Sequence, residues 1–142
     1  MLKMIFINLP VTDLAAATRF YEAIGCTRNA QFSSDGASCM VWSDTITFQL
    51  LTRATYATFS HKPIADAHKT SAALFAISCD SRQDVDAIVD AAVSAGGKGD
   101  IRDRQDHGFM YGRTFEDPDG NIFEPIWMDP AGMAAEPAIQ GG

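Results

Sequence analysis

The chain has 142 residues, of which 46% are hydrophobic and 20% are charged, a composition typical of one globular domain. Its formal net charge of −7 argues against nucleic acid and anionic membranes as partners, because no basic surface is available to attract phosphates. No apolar stretch is long enough to span a membrane, no secretory signal pattern is present and the three cysteines form no Cys-x-x-Cys motif, so we expect a cytoplasmic protein with reduced thiols.

The first half of the chain predicts a strand, a helix and three further strands. An apolar strand at 4–11 is followed by Thr12 and Asp13, which are residue types that cap helices. Apolar residues then recur at helical spacing until Gly25, which ends the helix. The segments 26–32, 37–42 and 45–51 alternate in a way that is typical of strands.

The second half repeats this order. A strand at 72–79 precedes Asp80 and Ser81, which form a second cap, and an apolar helical stripe follows until Gly96. Alternating segments at 98–104, 109–116 and 121–128 predict three more strands. The last two are joined by Asp-Pro-Asp-Gly at 117–120, which predicts a tight turn because proline fixes φ and glycine tolerates a positive φ.

Both halves therefore predict the order β-α-β-β-β, and we expect a single domain over residues 1–142. The two modules span 4–51 and 71–128, a connector rich in small and polar residues spans 52–70, and a tail spans 129–142. One module alone leaves a face of its sheet uncovered, and a second module can cover it. After about Met133 the tail is expected to be loosely ordered or packed on a partner.

Glu124 is the first candidate for a functional residue. On its predicted strand it shares a face with Ile122 and Ile126, because side chains alternate along a strand. Burying a carboxylate between two isoleucines costs free energy unless the carboxylate is paired. Glu124 could serve as a general base or as an anchor for a ligand, or it could form a structural hydrogen bond to Gln49, Thr114 or a tyrosine.

The strand before the turn carries three further candidates. His107 precedes this strand and could act as an acid or a base, or it could face solvent beside Asp106. Tyr111 and Arg113 lie two residues apart and therefore share a face. Arg113 could clamp the carboxylate or phosphate of a ligand, or it could pair with the acidic residues at 116–117.

This pattern resembles the vicinal oxygen chelate superfamily, which includes glyoxalase I, extradiol dioxygenases, fosfomycin-resistance enzymes and bleomycin-binding proteins. The resemblance covers about residues 4–128, and it depends on Leu9 to Leu14, Phe20, Tyr21 and Gly25 in the first half and on Asp117 to Asn121 and Glu124 in the second. It implies an α+β fold in which two βαβββ modules form a curved mixed sheet around a cleft. It also implies a small organic ligand and a homodimer.

The resemblance identifies four positions that hold the metal in metal-dependent members, one on the first and one on the last strand of each module. These positions are Phe6, Gln49, Leu74 and Glu124, so two of the four side chains are apolar. One amide and one carboxylate would hold a divalent cation only weakly. We therefore expect no metal or other cofactor, with weak divalent binding by Gln49 and Glu124 as the alternative.

The resemblance leaves two functions open, beside a third in which the cleft is filled by its own side chains and the protein is a scaffold for assembly. The first is a binding or resistance protein whose cleft takes a small organic molecule without a tightly bound metal. The second is a glyoxalase-like lyase or isomerase in which Glu124 is the base and Tyr111 or His107 polarises an oxygen. The expected ligand-binding residues are Phe6, Asn8, Trp42, Gln49, Leu74 and Arg113, although Trp42 could instead belong to the core.

Overall fold

The computed structural model describes residues 1–135. The first module contains β1 (Ile5–Val11), α1 (Leu14–Ala23), β2 (Thr27–Arg28), β3 (Ala37–Val41) and β4 (Ile46–Thr52), with a 3₁₀ turn at Ala30–Phe32 between β2 and β3. The connector begins with α2 (Arg53–Phe59). The second module contains β5 (Leu74–Ser78), α3 (Arg82–Ser94), β6 (Lys98–Gly99), β7 (Gln105–Asp106), β8 (Met110–Gly112), β9 (Phe115–Glu116) and β10 (Ile122–Met128), and α4 (Pro130–Ala135) follows it.

The predicted α+β fold with two βαβββ modules is confirmed. Three predicted strands are nevertheless shorter than expected: the segment at 26–32 keeps two strand residues, the segment at 98–104 keeps Lys98–Gly99, and the segment at 109–116 is divided into β8 and β9. The predicted tail falls partly on α4, and its last residues, 136–142, lie outside the described residues. No helix among residues 1–135 has the length and apolar character needed to cross a membrane.

The sheets of the two modules share the same central strand order, although over the described residues the first has four strands and the second has six. In the first, the strand order is β1-β4-β3-β2, with β1 parallel to β4 and Asn8 beside Gln49. In the second, β5 is parallel to β10, with Ala76 beside Glu124, and β8 and β9 both run antiparallel to β10. The strands β8 and β9 therefore occupy together the position that β3 has in the first module.

Each module packs a helix on one face of its sheet. Helix α1 begins after Asp13, whose carboxylate accepts a hydrogen bond of 3.0 Å from the Ala16 amide. Helix α3 begins after Ser81, whose hydroxyl accepts one of 3.0 Å from the Asp84 amide. The two helices bury their apolar sides against the sheets, and the buried residues are Ala17, Phe20, Tyr21, Val85, Ile88, Val89 and Ala92.

The helix-bearing faces of both sheets meet in one core. The rings of Phe48 on β4 and Phe123 on β10 have centroids 5.5 Å apart, and the Tyr21 ring on α1 contacts both of them. The two sheets thus face one another through their helix-bearing sides. The opposite faces, called here the outer faces, point away from that core and therefore away from each other.

Candidate functional site

The outer face of the second sheet carries Glu124. Its neighbours on β10 are Ile122 and Ile126, and Ala76 lies beside it on β5. The side chain of Glu124 is 18% exposed, whereas Leu74 at the start of β5 is 55% exposed. The alternation that the sequence predicts for β10 therefore places one largely buried carboxylate on an apolar and accessible surface.

The partner of Glu124 is Arg102, which the sequence analysis missed. Arg102 Nη1 lies 2.5 Å from Glu124 Oε2, so the carboxylate pairs with a guanidinium and not with Gln49, Thr114 or a tyrosine. Arg102 belongs to the segment between β6 and β7, and its backbone amide donates to Thr114 Oγ1 at 3.3 Å. The sequence indicated such a partner only through the general rule that a buried carboxylate requires one.

The outer face of the first sheet carries Phe6, Asn8 and Gln49. Phe6 is 58% exposed, and Asn8 is also exposed. Gln49 is half-buried, and its amide donates a long hydrogen bond of 3.5 Å to the carbonyl oxygen of Phe32. Because this face and the face with Glu124 point away from each other, a single chain does not bring the four positions of the resemblance into one cluster.

Tyr111 and Arg113 share a face, as predicted, but it is the helix-bearing face. Arg113 is 7% exposed and forms hydrogen bonds of 3.0 and 2.8 Å to Asp100 and one of 2.9 Å to Asp86 on α3. The Tyr111 hydroxyl donates to the same Asp86 carboxylate at 2.7 Å. Neither side chain reaches the face with Glu124, and Arg113 does not pair with the acidic residues at 116–117.

These contacts shift the pKa values of the two carboxyl groups. The pKa of Asp86 is lowered from 3.8, chiefly by the hydrogen bond from Tyr111 and then by the contacts with Arg113. The pKa of Asp100 is lowered from 3.8, chiefly by the hydrogen bonds from Arg113. The group around Arg113 is therefore an ion-pair network between a strand, a helix and a loop.

His107 and Trp42 lie in different environments and do not form one ligand site. His107 is exposed at the tip of the β7–β8 hairpin, where its amide donates to the Met110 carbonyl at 2.9 Å. Its neighbour Asp106 binds Arg82 through hydrogen bonds of 2.9 and 2.7 Å. Trp42 is partly buried and packs against the core, as the second of its two predicted roles requires.

Two cavities lie apart from Glu124, and sequence reasoning identified neither. One, of about 390 Å³, is enclosed by α2, the connector and the β9–β10 turn, and its wall includes Arg53, Tyr56, His68, Phe75 and Asp119. The other, of about 500 Å³, is a shallow groove beside Arg82, Asp86, Arg104 and Tyr111. Among residues 1–135, no three His, Cys, Asp or Glu side chains lie close enough together to hold a metal ion.

Comparisons with known proteins agree with this fold. The family model of the Glyoxalase/Bleomycin resistance protein/Dioxygenase superfamily matches residues 3–124. The hypothetical protein SA1046 from S. aureus has 21% sequence identity and a TM-score of 0.74, with 89% of this chain and 94% of that chain covered. A family enzyme from Burkholderia phytofirmans PsJN has 19% identity and a TM-score of 0.71, with 87% and 96% covered.

The fosfomycin resistance protein FosX from Mesorhizobium loti has 15% identity and a TM-score of 0.68, with 94% of this chain and 98% of that chain covered. At these identities the solved structures show the fold alone. The comparison with curated proteins finds no matching sequence. Because the family model covers most of the length, the chain belongs to the Glyoxalase/Bleomycin resistance protein/Dioxygenase superfamily.

Proposed function

We propose that this protein binds a small organic molecule without a resident metal, at a site on the outer faces of its sheets that two chains build together. The observation that carries the proposal is the chemistry of the four family positions. Phe6 and Leu74 supply exposed hydrocarbon and no donor atom, Gln49 supplies one amide, and Glu124 is already paired with Arg102. This donor set does not fit a tightly held divalent ion, which requires several oxygen or nitrogen ligands.

The unpaired edges of the sheets support the proposed homodimer. Within the described chain, β1 is hydrogen-bonded only to β4, and β5 only to β10. An exposed strand edge with apolar side chains is a ready surface for pairing with another chain. A twofold axis that brings β1 of one chain beside β5 of its partner forms this contact twice and leaves neither edge open.

This dimer would also complete the ligand site. The outer face with Phe6 and Gln49 would come from one chain, and the outer face with Leu74 and Glu124 would come from the other. The names of the matched family and of FosX refer to resistance to bleomycin and fosfomycin, which are small organic molecules, and this supports a ligand of that kind.

The unpaired state of Cys26, Cys39 and Cys79 supports the proposed cytoplasmic location.

Two measurements on the full chain test the proposal. Light scattering should give about twice the 15.3 kDa mass of one chain, and a thermal-shift screen of small aromatic and cationic compounds should identify stabilising ligands. Phe6→Asp should yield a monomer that no ligand stabilises. Phe59→Asp is the matched control, because Phe59 is 75% exposed on α2 and lies outside both sheets. If the native protein were a monomer and ligands nevertheless stabilised it, the proposal of a site shared between two chains would be contradicted.

The enzymatic alternative is a lyase or isomerase in which Glu124 is the base. It requires a second group near the substrate, but Tyr111 lies on the helix-bearing face and His107 lies at a hairpin tip. The geometry therefore supports binding better than this reaction. The alternative predicts that Glu124→Gln abolishes a measurable turnover, and an unchanged rate would exclude it.

A further inference from the structure

We propose that the site around Glu124 selects organic cations, and that Arg102 is an internal counter-ion which such a ligand displaces. The inference rests on the proposed function, because it names the class of molecule that the shared site takes. Its starting point is the Arg102–Glu124 ion pair at 2.5 Å on an otherwise apolar surface.

The two partners of this ion pair differ in burial, and the difference decides which of them can leave. The Arg102 side chain is 45% exposed, whereas the Glu124 side chain is only 18% exposed. Moving a half-solvated guanidinium fully into water costs little, as the small net contribution of surface ion pairs shows. Leaving a largely buried carboxylate without a positive partner costs considerably more. Glu124 is therefore the fixed charge, and Arg102 is the exchangeable one.

The surrounding segment permits this exchange without a change of the backbone. The amide of Asp100 donates to the Thr114 carbonyl at 2.8 Å, and the amide of Arg102 donates to the Thr114 hydroxyl. These bonds fix the main chain of the segment to Thr114, which lies between β8 and β9. The neighbouring Arg104 contacts Asp100 at 3.5 Å instead of Glu124, so Arg102 is the cation whose rotation uncovers the carboxylate.

The apolar neighbours indicate an organic cation. Ile122 and Ile126 flank Glu124, and Leu74 lies beside Ile122 in the sheet register. These side chains would contact a hydrocarbon or aromatic body while the carboxylate binds an ammonium group. An inorganic divalent ion would find the Glu124 carboxylate here but not the several oxygen ligands that it requires. An anionic ligand would compete with Glu124 for Arg102 and would lie close to a like charge.

Three aromatic probes of similar size test the inference with the full-length protein at low salt: benzylammonium, benzyl alcohol and benzoate. Calorimetry or NMR titration should show the tightest binding for benzylammonium. Arg102→Gln should strengthen its binding about two- to fivefold, since an internal competitor is removed. Glu124→Gln should weaken it by roughly tenfold or more, since a charge-assisted hydrogen bond is lost. Arg104→Gln is the matched control and should leave the affinity unchanged, and thermal unfolding checks that each variant is folded.

The exchange predicts opposite changes in the affinity for benzylammonium: an increase in Arg102→Gln and a decrease in Glu124→Gln. Tighter binding of benzoate than of benzylammonium, or weaker benzylammonium binding in Arg102→Gln, would overturn the inference. So would the failure of benzylammonium to bind either the native protein or Arg102→Gln at millimolar concentration. In each of these cases a dimer that is stabilised by neutral compounds, and loses that stabilisation in Phe6→Asp, would leave the proposed function standing.

Discussion

A buried hydrogen bond between two side chains connects the two modules. The Tyr21 hydroxyl on α1 donates to Asp117 Oδ2 at 2.6 Å, and both residues are at most 2% exposed. Asp117 also accepts hydrogen bonds from the Asn121 side chain at 2.9 Å and from the amides of Asp119 and Asn121 at 3.0 and 2.9 Å. Burial raises the pKa of Asp117, whereas these hydrogen bonds lower it. Each donor therefore stabilises the charged form of the carboxyl group.

Tyr21→Phe should lower the free energy of unfolding by about 1–3 kcal/mol, because a buried acceptor loses its strongest donor while the ring remains in place. Urea denaturation followed by circular dichroism measures this change. Tyr56→Phe is the control, since the Tyr56 hydroxyl forms no side-chain hydrogen bond within the described residues and its loss should change stability by less than about 0.5 kcal/mol. Equal stability of the two variants would show that the hydrogen bond contributes nothing net.

The Arg113 network predicts a dependence of stability on pH. The pKa values of Asp86 and Asp100 lie below their ordinary value of 3.8, so folding favours the charged forms. Their contribution is fully present above the unfolded-state pKa and is lost as pH falls through the lowered folded-state pKa. The native protein should therefore exceed Arg113→Met in unfolding free energy at neutral pH, and the gap should narrow below about pH 4. A gap that stays constant down to about pH 2 would contradict this assignment.

The Asp-Pro-Asp-Gly hairpin shows which elements a sequence can predict. The turn at 117–120 is correctly predicted because its dihedral requirements are local, and Gly120 adopts φ +92. The structure adds a restriction that is not local. A Cβ atom on Gly120 would lie 2.6 Å from the His68 amide nitrogen and 2.7 Å from the Ala67 carbonyl carbon. The turn therefore also packs tightly against the connector.

Gly120→Ala should destabilise the protein more than Gly108→Ala, and thermal or urea denaturation compares the two directly. Both glycines have a positive φ, of +92 at Gly120 and +80 at Gly108, so both substitutions carry a similar conformational cost of about 1–2 kcal/mol. A Cβ atom on Gly108 would meet no heavy atom within 4 Å, whereas one on Gly120 would clash with backbone. Equal losses of stability in the two variants would mean that the connector moves away from the new Cβ atom at no cost in free energy.

The break between β8 and β9 was not predicted, and Pro125 explains it. The Arg113 amide donates to the Pro125 carbonyl at 3.2 Å, but Pro125 has no amide hydrogen to donate in return. The ladder therefore loses a bond at this point. The carbonyl of the next residue, Thr114, accepts from the amide of Asp100 and so continues the pairing of β6 with β9. The Thr114 hydroxyl also accepts from the Arg102 amide, so the segment with the missed partner of Glu124 is attached at this break.

The arrangement of whole modules lies beyond what alternation along the strands can predict. The sequence indicates that Phe6 and Asn8 share a face, and the structure has them on one outer face. Which two faces meet is decided by contacts between distant residues, such as the ring pair of Phe48 and Phe123. The same alternation of side chains fits a contact between two sheets of one chain and a contact between the sheets of two chains. The four family positions were therefore identifiable, but their separation on two outer faces was not.

A mixing experiment distinguishes a site shared between two chains from one contained in a single chain. Phe6→Ala and Glu124→Gln should each weaken ligand binding at both sites of their own homodimers. In a heterodimer of the two variants, one site would carry both changes and the other would carry none. Co-refolding equal amounts should therefore restore about one native site for every four chains, counted by calorimetric titration with any ligand that binds the native protein. Sites contained within one chain would remain defective in the mixture, and no native affinity would return.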